Sequence, residues 1–238
     1  MLLATGDIDL CPSSSVEYVN QACKYLILPE LSISSIGPVK SVLLFSHVPL
    51  QDLDGADIGL TAESDTSVIL LKVILSHFYK FSNHFERTCT PLEESFLRYP
   101  ALLLIGDTAM KTARASSVPY VYDLGELWFK FTGLPFVFAF WLVRRDTVSH
   151  KKREITTLHR ALVSAKELAY GTYGNIARNC PESVWYGEER LIDYWKSISY
   201  DLTPRHCEGA ALFFRLAAER GFLPASSALE FFQGEDLF

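Results

Sequence analysis

The stretch ALLLIGDTAMK, residues 101–111, carries the pattern that decides the fold of this 238-residue chain. Its apolar run from Ala101 to Ile105 is typical of a β-strand that is covered on both faces. Gly106 and Asp107 follow at once, and the residues after them read as a helix start. A strand that leads directly into a helix is the basic unit of an α/β protein. The stretch therefore predicts an α/β fold with a carboxylate at the end of a buried strand.

The same alternation of strand and helix patterns runs through the first 145 residues. Further apolar segments bounded by turn residues predict strands, and their continuous apolar character favours parallel pairing. These strands are IDLC (8–11), SVLLFS (41–46), DIGLT (57–61) and FVFAFWLV (136–143). Periodicity predicts helices over 66–78 and 123–131, and then over 154–170, 191–199 and 204–220. The C-terminal third is therefore expected to be helical.

The composition excludes several classes of protein. Hydrophobic residues make up 49% and charged residues 21% of the chain, as in a globular protein with a large core. The net charge of -6 comes without a basic stripe, so we expect no nucleic-acid partner. The longest apolar run, 134–143, is well short of the roughly 20 residues that a membrane helix needs. Residues 1–11 do not read as a secretory signal, and a cytoplasmic protein without a membrane partner is expected.

Metal, disulfide and nucleophile motifs are missing from the sequence. The five cysteines are widely spaced, which favours reduced thiols over a disulfide framework, and no pair has the spacing of metal ligands. GxSxG, GxGxxG, GxxxxGK[ST] and CxxC do not occur. We therefore expect no metal site and no nucleophilic or redox centre.

Small polar residues follow the predicted strands at their carboxyl ends, where open α/β sheets bind ligands. Hydroxyl side chains and unpaired backbone N–H groups can hold an anion there without a Lys or Arg. The candidate substrate-binding residues are Ser14, Ser15, Ser46, Thr66, Ser67 and Gly106. Asp107 is the one acid expected to point into the crevice.

A second interpretation of these residues stays open. Ser, Thr and Asp are also preferred N-cap residues, so Ser14, Asp65 or Thr66 could do no more than cap helices. Capping does not require a Gly before an Asp at the end of a buried strand. Gly106 would allow the backbone to approach a ligand closely, or to adopt a positive φ.

Several segments resemble the chorismate dehydratases of the futalosine route to menaquinone. They are SISSIGPVKSVLLFS (32–46), TSVILLK (66–72), ALLLIGDTAM (101–110) and YDLGELWFKFTGLPFVFAFWLVRRD (122–146). The resemblance implies a two-lobed, periplasmic-binding-protein-like fold of type II with a ligand cleft between the lobes. SVLLFS and FVFAFWLV would be the strands that cross between lobes. Residues 1–49 and 138–238 would form the first lobe and residues 50–137 the second.

The resemblance also implies a reaction, the loss of water from chorismate to give 3-[(1-carboxyvinyl)oxy]benzoate without metal or organic cofactor. Thr66 and Ser67 would hold one carboxylate of chorismate at a helix N-terminus. The other carboxylate would lie near Ser14, Ser15 or Ser46. Asp107 would be the polar partner of the ring hydroxyl, and the side-chain carboxylate of the substrate would act as the base.

The sequence departs from the family pattern at one place, and two other functions remain as alternatives. Members of the family begin with a strand that carries a Tyr-Leu-Asn-like motif, and the present sequence has no such strand. One alternative is a cytoplasmic carboxylate-binding protein or degenerate enzyme, because this fold serves binding proteins as well as enzymes. The other is the related enzyme that forms 1,4-dihydroxy-6-naphthoate.

Overall fold

Two β-sheets, each with its own helices, organise the chain. The structure is a computed structural model that describes residues 2–60, 62–90, 92–115, 117–225 and 228–234. In these ranges the strands are β1 (Leu10–Ser14), β2 (Tyr25–Ser35), β3 (Val42–Ser46), β4 (Asp57–Leu60), β5 (His84–Arg87), β6 (Ala101–Ile105), β7 (Tyr120–Asp123), β8 (Phe136–Arg144) and β9 (Ile198–Ser199). The α-helices are α1 (Leu2–Thr5), α2 (Ser15–Asn20), α3 (Asp65–Val73), α4 (Leu92–Arg98), α5 (Gly106–Ala115), α6 (Leu124–Thr132), α7 (Arg145–Asn179), α8 (Ser183–Tyr186), α9 (Glu188–Ser197) and α10 (Pro204–Glu219). A π-helical turn, Ile74–Tyr79, continues α3.

The two sheets define two lobes. The first sheet has the order β1-β8-β2-β9 and its pairs are antiparallel. The second has the order β5-β4-β6-β3-β7. In this second sheet β4 runs parallel to β5 and β6, whereas β3 is antiparallel to β6 and β7. We call the parts built on these sheets the first lobe and the second lobe.

The predicted α/β class is confirmed, but the parallel direction predicted for the apolar strands is wrong for several of them. β3 is fully buried along its length and is nevertheless antiparallel to both neighbours. β8 is likewise antiparallel to β1 and β2. An apolar run reports that both faces of a strand are covered, and this burial is independent of the direction of the neighbouring strands.

The connections between the lobes also differ from the expected ones. SVLLFS and FVFAFWLV each pair within a single sheet and do not cross. The chain passes to the second lobe through residues 36–41, between β2 and β3, and returns through α6 and residues 133–135. The second sheet therefore begins at Val42. A boundary after residue 49 would separate β3 from the rest of this sheet. We call residues 36–41 the first crossing and residues 124–135 the second crossing.

The segment after β7 shows how local sequence sets an element. The Asp123 side chain caps α6 by accepting hydrogen bonds from the backbone N–H groups of Gly125 and Glu126 at 2.9 and 3.1 Å. Gly133, with a φ of 66°, ends the helix in the left-handed conformation. Trp128 on this helix is fully buried and meets the rings of Phe136 and Phe213 edge-on, so the aromatic residues around the second crossing pack the core.

The C-terminal third is helical, as predicted. α7 covers the helix predicted over 154–170, and α10 matches the one predicted over 204–220 to within one residue. The helix predicted over 191–199 is too long, because α9 ends at Ser197 and residues 198–199 form β9. Gly221 follows α10 with a φ of 72°. Thr172 leaves helical φ and ψ and kinks α7, close to the glycine pair at 171 and 174. No helix in the described ranges is both long and apolar enough to cross a membrane.

Candidate functional site

Hydroxyl groups from the two lobes meet at the N-terminus of α3. The Ser14 Oγ lies 2.5 Å from the Thr66 Oγ1, and the Ser15 Oγ lies 3.4 Å from it. The backbone N–H of Val16 donates to the same Thr66 oxygen at 3.3 Å. Ser15 and Thr66 are buried, whereas Ser14 is half-buried. We call Ser14, Ser15 and Thr66 the hydroxyl cluster.

Capping explains part of the polar sequence before α3, but not the hydroxyl cluster. Ser64 is the N-cap residue, and its Oγ accepts from the Ser67 N–H at 3.2 Å and donates to the Ser67 Oγ at 3.1 Å. Ser67 is therefore engaged in the cap. Ser14 occupies the N-cap position of α2 without making a side-chain cap bond. Its hydroxyl, like that of Thr66, points across the boundary between the lobes instead.

The end of β6, followed by Gly106 and Asp107, lies at the same edge of the second sheet. β4 and β6 are parallel neighbours, so Thr66 and Gly106 follow adjacent strand ends, and adjacent strands lie about 4.8 Å apart. Gly106 has a φ of 58°, the positive value considered for it, and its N–H donates to the Ser41 carbonyl at 2.8 Å. The Asp107 side chain is 56% exposed, and its ion pair with Lys111 on the same helix spans 3.7 Å.

Ser46 does not lie with these residues, although the sequence predicted it at the same edge. β3 is antiparallel to β6, and Ser46 pairs with Ala101 at the edge opposite Gly106. Its hydroxyl is fully buried and donates to the Val48 carbonyl at 2.7 Å. The sequence argument placed it at the ligand edge because it assumed a parallel strand.

A groove with a volume of about 530 Å³ is lined by residues of both lobes, including Val16 and Asp65, the chain neighbours of Ser15 and Thr66. Its size is in the range of small-molecule sites. Lys72 contributes a positive charge, with its Nζ 5.2 Å from the centre of the Phe85 ring and 5.8 Å from that of Phe222. The lining residues are Val16, Asn20, Leu60, Asp65, Val68, Ile69, Lys72, Phe85, Arg87, Gly221, Phe222 and Leu223.

The groove has a local excess of positive charge. Arg87 and Asp65 form an ion pair and neutralise each other, whereas no ion pair of Lys72 is found within the described ranges. Sequence reasoning missed Lys72, although a single lysine in the otherwise apolar stretch VILLKVIL (68–75) is a signal that could have found it. The groove therefore suits an anion that also has an apolar body.

Tyr194 is a second residue that sequence reasoning missed. It comes from α9 in the helical third, and its Oη donates to the Ser41 Oγ at 3.2 Å. Burial raises the pKa of the Tyr194 phenol above its usual value, and the charge of Asp107 raises it as well. The phenol is therefore a neutral donor close to Asp107. No motif marks Tyr194, since it joins the site only through the packing of α9.

The two groups of polar residues can do different chemistry, since one can bind an anion and the other can act on polar groups. At the hydroxyl cluster, the N-terminus of α3 favours negative charge. Asp107 and Tyr194 supply a carboxylate and a phenol near the end of β6. Among the residues that the structure describes, no group of three or more His, Cys, Asp or Glu side chains has the geometry of a metal site.

Comparisons with known proteins find relatives of this chain in sequence. A family model described as menaquinone biosynthesis matches residues 1–219. A chorismate dehydratase of Thermus thermophilus is 35% identical, over 74% of this chain and 67% of that protein.

Solved structures share the fold. The product of the Candida albicans gene CA3427, described as having the generic periplasmic binding protein fold, superposes with a TM-score of 0.67 at 10% identity, over 98% of this chain and 83% of that one. The periplasmic aliphatic sulphonate binding protein SsuA of Escherichia coli superposes with a TM-score of 0.63 at 16% identity, over 96% of this chain and 80% of that one. The chain thus has a periplasmic-binding-protein-like fold.

Proposed function

The chain belongs to the menaquinone biosynthesis family, and from that membership we propose that it is a chorismate dehydratase. It removes water from chorismate and gives 3-[(1-carboxyvinyl)oxy]benzoate in the futalosine route. The observation that carries the proposal is the meeting of Ser14 and Ser15 with Thr66 at the N-terminus of α3, beside a groove of suitable size. A dianionic ring compound needs such a site, which combines anion binding with an apolar wall.

The hydroxyl cluster and Lys72 hold the two carboxylates of chorismate. Hydroxyls that donate to a carboxylate at a helix N-terminus gain from the aligned peptide dipoles. The Lys72 ammonium group attracts the second carboxylate from within the groove. The apolar lining, with Phe85 and Phe222, covers the ring of the substrate.

The elimination breaks one C–H bond and one C–O bond of the ring. The side-chain carboxylate of the substrate takes the proton from the ring carbon that bears the ether. The ring hydroxyl leaves with that proton as water, and the electron pair of the C–H bond completes the aromatic ring. Asp107 orients the departing hydroxyl. Because aromatisation supplies the driving force, the protein has to position the groups and exclude water, and we propose that it needs no cofactor.

Incubation of the purified protein with chorismate tests the proposal. We expect loss of chorismate with appearance of one equivalent of the aromatic product, followed by its absorbance and by chromatography. The Asp107→Ala protein should bind chorismate but form the product far more slowly. Binding without turnover in the unaltered protein would contradict the proposal and would favour a carboxylate-binding protein of the same fold.

A further inference from the structure

Asp123 lies where the chain leaves the second sheet, and its carboxylate joins both crossings. Its oxygens accept from the backbone N–H groups of Val39 and Lys40 in the first crossing, at 3.0 and 2.6 Å. They also accept from Gly125 and Glu126 at the start of the second crossing, at 2.9 and 3.1 Å. The last two bonds cap α6, but the first two have no role in capping. One side chain thus connects the two segments through which the lobes are joined.

The backbone near Asp123 is closely packed at Gly125 and has a positive φ at Lys40. A Cβ on Gly125 would lie 2.6 Å from the Gly37 carbonyl oxygen and 2.7 Å from the Ser35 Oγ, so only glycine allows the crossings to pack this closely. Lys40 has a φ of 63°, a left-handed conformation that costs a non-glycine residue about 1 kcal/mol or more. Its N–H bond to Asp123 offsets that cost.

The first crossing is also tied to the helical third and to the candidate site. The Lys40 Nζ donates to the Asp193 carbonyl at 3.1 Å, and Tyr194 donates to Ser41. The Ser41 carbonyl in turn accepts the N–H of Gly106, the residue before Asp107. A displacement of the first crossing would therefore move the strand end that carries Asp107 relative to the first lobe.

We propose that Asp123 is a positioning residue, which pins the two crossings together and thereby sets the separation of the lobes across the hydroxyl cluster. It does not touch the substrate. Its effect on turnover rests on the proposed function, whereas its effect on lobe separation does not. Ser14 and Thr66 belong to different lobes, so their contact depends on the geometry that Asp123 fixes.

The Asp123→Ser variant is designed to keep the cap of α6 and to remove the hydrogen bonds to the first crossing. Serine is itself a good N-cap residue and can still accept from Gly125 or Glu126, but it is too short to reach Val39 and Lys40. Asp123→Asn is the second variant, because its single acceptor oxygen cannot serve four N–H donors. The matched control is Asp54→Asn, since the Asp54 carboxylate accepts the Ser82 N–H at 2.8 Å within the second lobe, away from the crossings.

Lobe separation can be measured with spin labels on two native cysteines. Cys23 and Cys89 are exposed and belong to the first and second lobes, and Cys11, Cys180 and Cys207 would be replaced by alanine. In the absence of chorismate we expect one narrow distance distribution for the parent and for Asp54→Asn. The two Asp123 variants should show a distribution at least twice as broad. Distributions equal to that of the parent in both folded Asp123 variants would overturn the proposal.

Kinetics give the second readout. We expect kcat/KM for chorismate to fall about tenfold in Asp123→Ser, because small misplacements of reacting groups are costly, and to change less than twofold in Asp54→Asn. Broad distributions with unchanged kcat/KM would overturn the positioning role. If the parent protein does not act on chorismate, the proposed function fails. The distance measurement still decides whether Asp123 holds the two crossings together.

Discussion

The ends of β4 and β6 lie side by side at one edge of the second sheet, yet the polar residues that follow them have opposite surroundings. Thr66 is buried and bonded to hydroxyls of the first lobe, whereas Asp107 is 56% exposed and pairs with Lys111 on its own helix. Both strands are mostly buried, so the strands do not cause the difference. It arises because the end of β1 and the start of α2 bring Ser14 and Ser15 to Thr66. The hydroxyls after β4 thus contact the first lobe, and we call them the assembled end, whereas the carboxylate after β6 is open to solvent, and we call it the exposed end.

Asp107→Asn tests the exposed end and should have the largest effect on turnover. If Asp107 acts on the departing hydroxyl, kcat should fall about 100-fold while KM changes little, because the interaction develops during the reaction. Steady-state kinetics with chorismate measure both constants. Asp57→Asn is the control, since Asp57 is an exposed acid at the opposite edge of the same sheet. An unaltered kcat in Asp107→Asn would remove Asp107 from the reaction.

Thr66→Val tests the assembled end. Valine has the shape of threonine without its hydroxyl, so KM should rise about tenfold through the loss of a hydrogen bond to a charged group, and kcat should stay within about threefold. Ser46→Ala is the control, because it also removes a buried hydroxyl but at the far edge of the sheet. If KM rose as much in Ser46→Ala as in Thr66→Val, the two edges of the sheet would not differ in substrate binding.

Lys72→Met asks whether the groove beside the assembled end holds the second carboxylate. Methionine keeps the apolar stem of lysine and loses its charge, so KM should rise about fivefold at low salt, and by less at high salt as the charge is screened. Titrations at two ionic strengths measure this change. Lys24→Met, at an exposed site on the first lobe, should leave KM unchanged. A salt-independent effect would show that Lys72 acts through packing with Phe85 and Phe222.

Tyr194→Phe should have the smallest effect, a fall in kcat of about threefold through the loss of a neutral hydrogen bond near Asp107. Because the pKa of the Tyr194 phenol is raised, the phenol loses its proton only above its usual pKa of about 10. The rate of the unaltered protein should therefore not fall between about pH 7 and pH 9 on account of Tyr194. A fall in that range that Tyr194→Phe abolishes would contradict this assignment, and Tyr120→Phe, on exposed β7, is the control.

Elements with a strong local pattern could be predicted from the sequence. The strand at Ala101–Ile105 has the predicted bounds, and α6 and α10 differ from their predicted ranges by one residue. The pattern of β2 is interrupted by Pro29 and by the positive φ of Glu30, and β5 is mostly exposed and polar, so neither was predicted. β7 was not predicted because it has only four residues and none of them is fully buried. α5 was read only as a helix start, since little of its sequence beyond Met110 is apolar.

The candidate site residues divide in the same way, into those that a local pattern predicts and those that it does not. Hydroxyl residues at strand ends pointed to Ser14, Ser15 and Thr66, and the structure brings these together. Ser46 belongs to the same residue type but lies at the opposite edge, because strand direction depends on pairing partners that are distant in the chain. Lys72 and Tyr194 reach the site through the packing of α3 and α9, which a linear pattern does not record.

The sequence by itself determined the α/β class, the buried strand that ends in Gly106 and Asp107, the helical C-terminal third and the family resemblance. These features depend on apolar periodicity, turn chemistry and motif spacing, all of which are local. Only the tertiary structure decided the direction of β3 and β8, the meeting of Ser14 with Thr66, the groove around Lys72 and the joining of both crossings at Asp123. Each of these depends on contacts between residues far apart in the chain, either within one sheet or between the two lobes, and the free energy of such contacts exists only once the chain has folded.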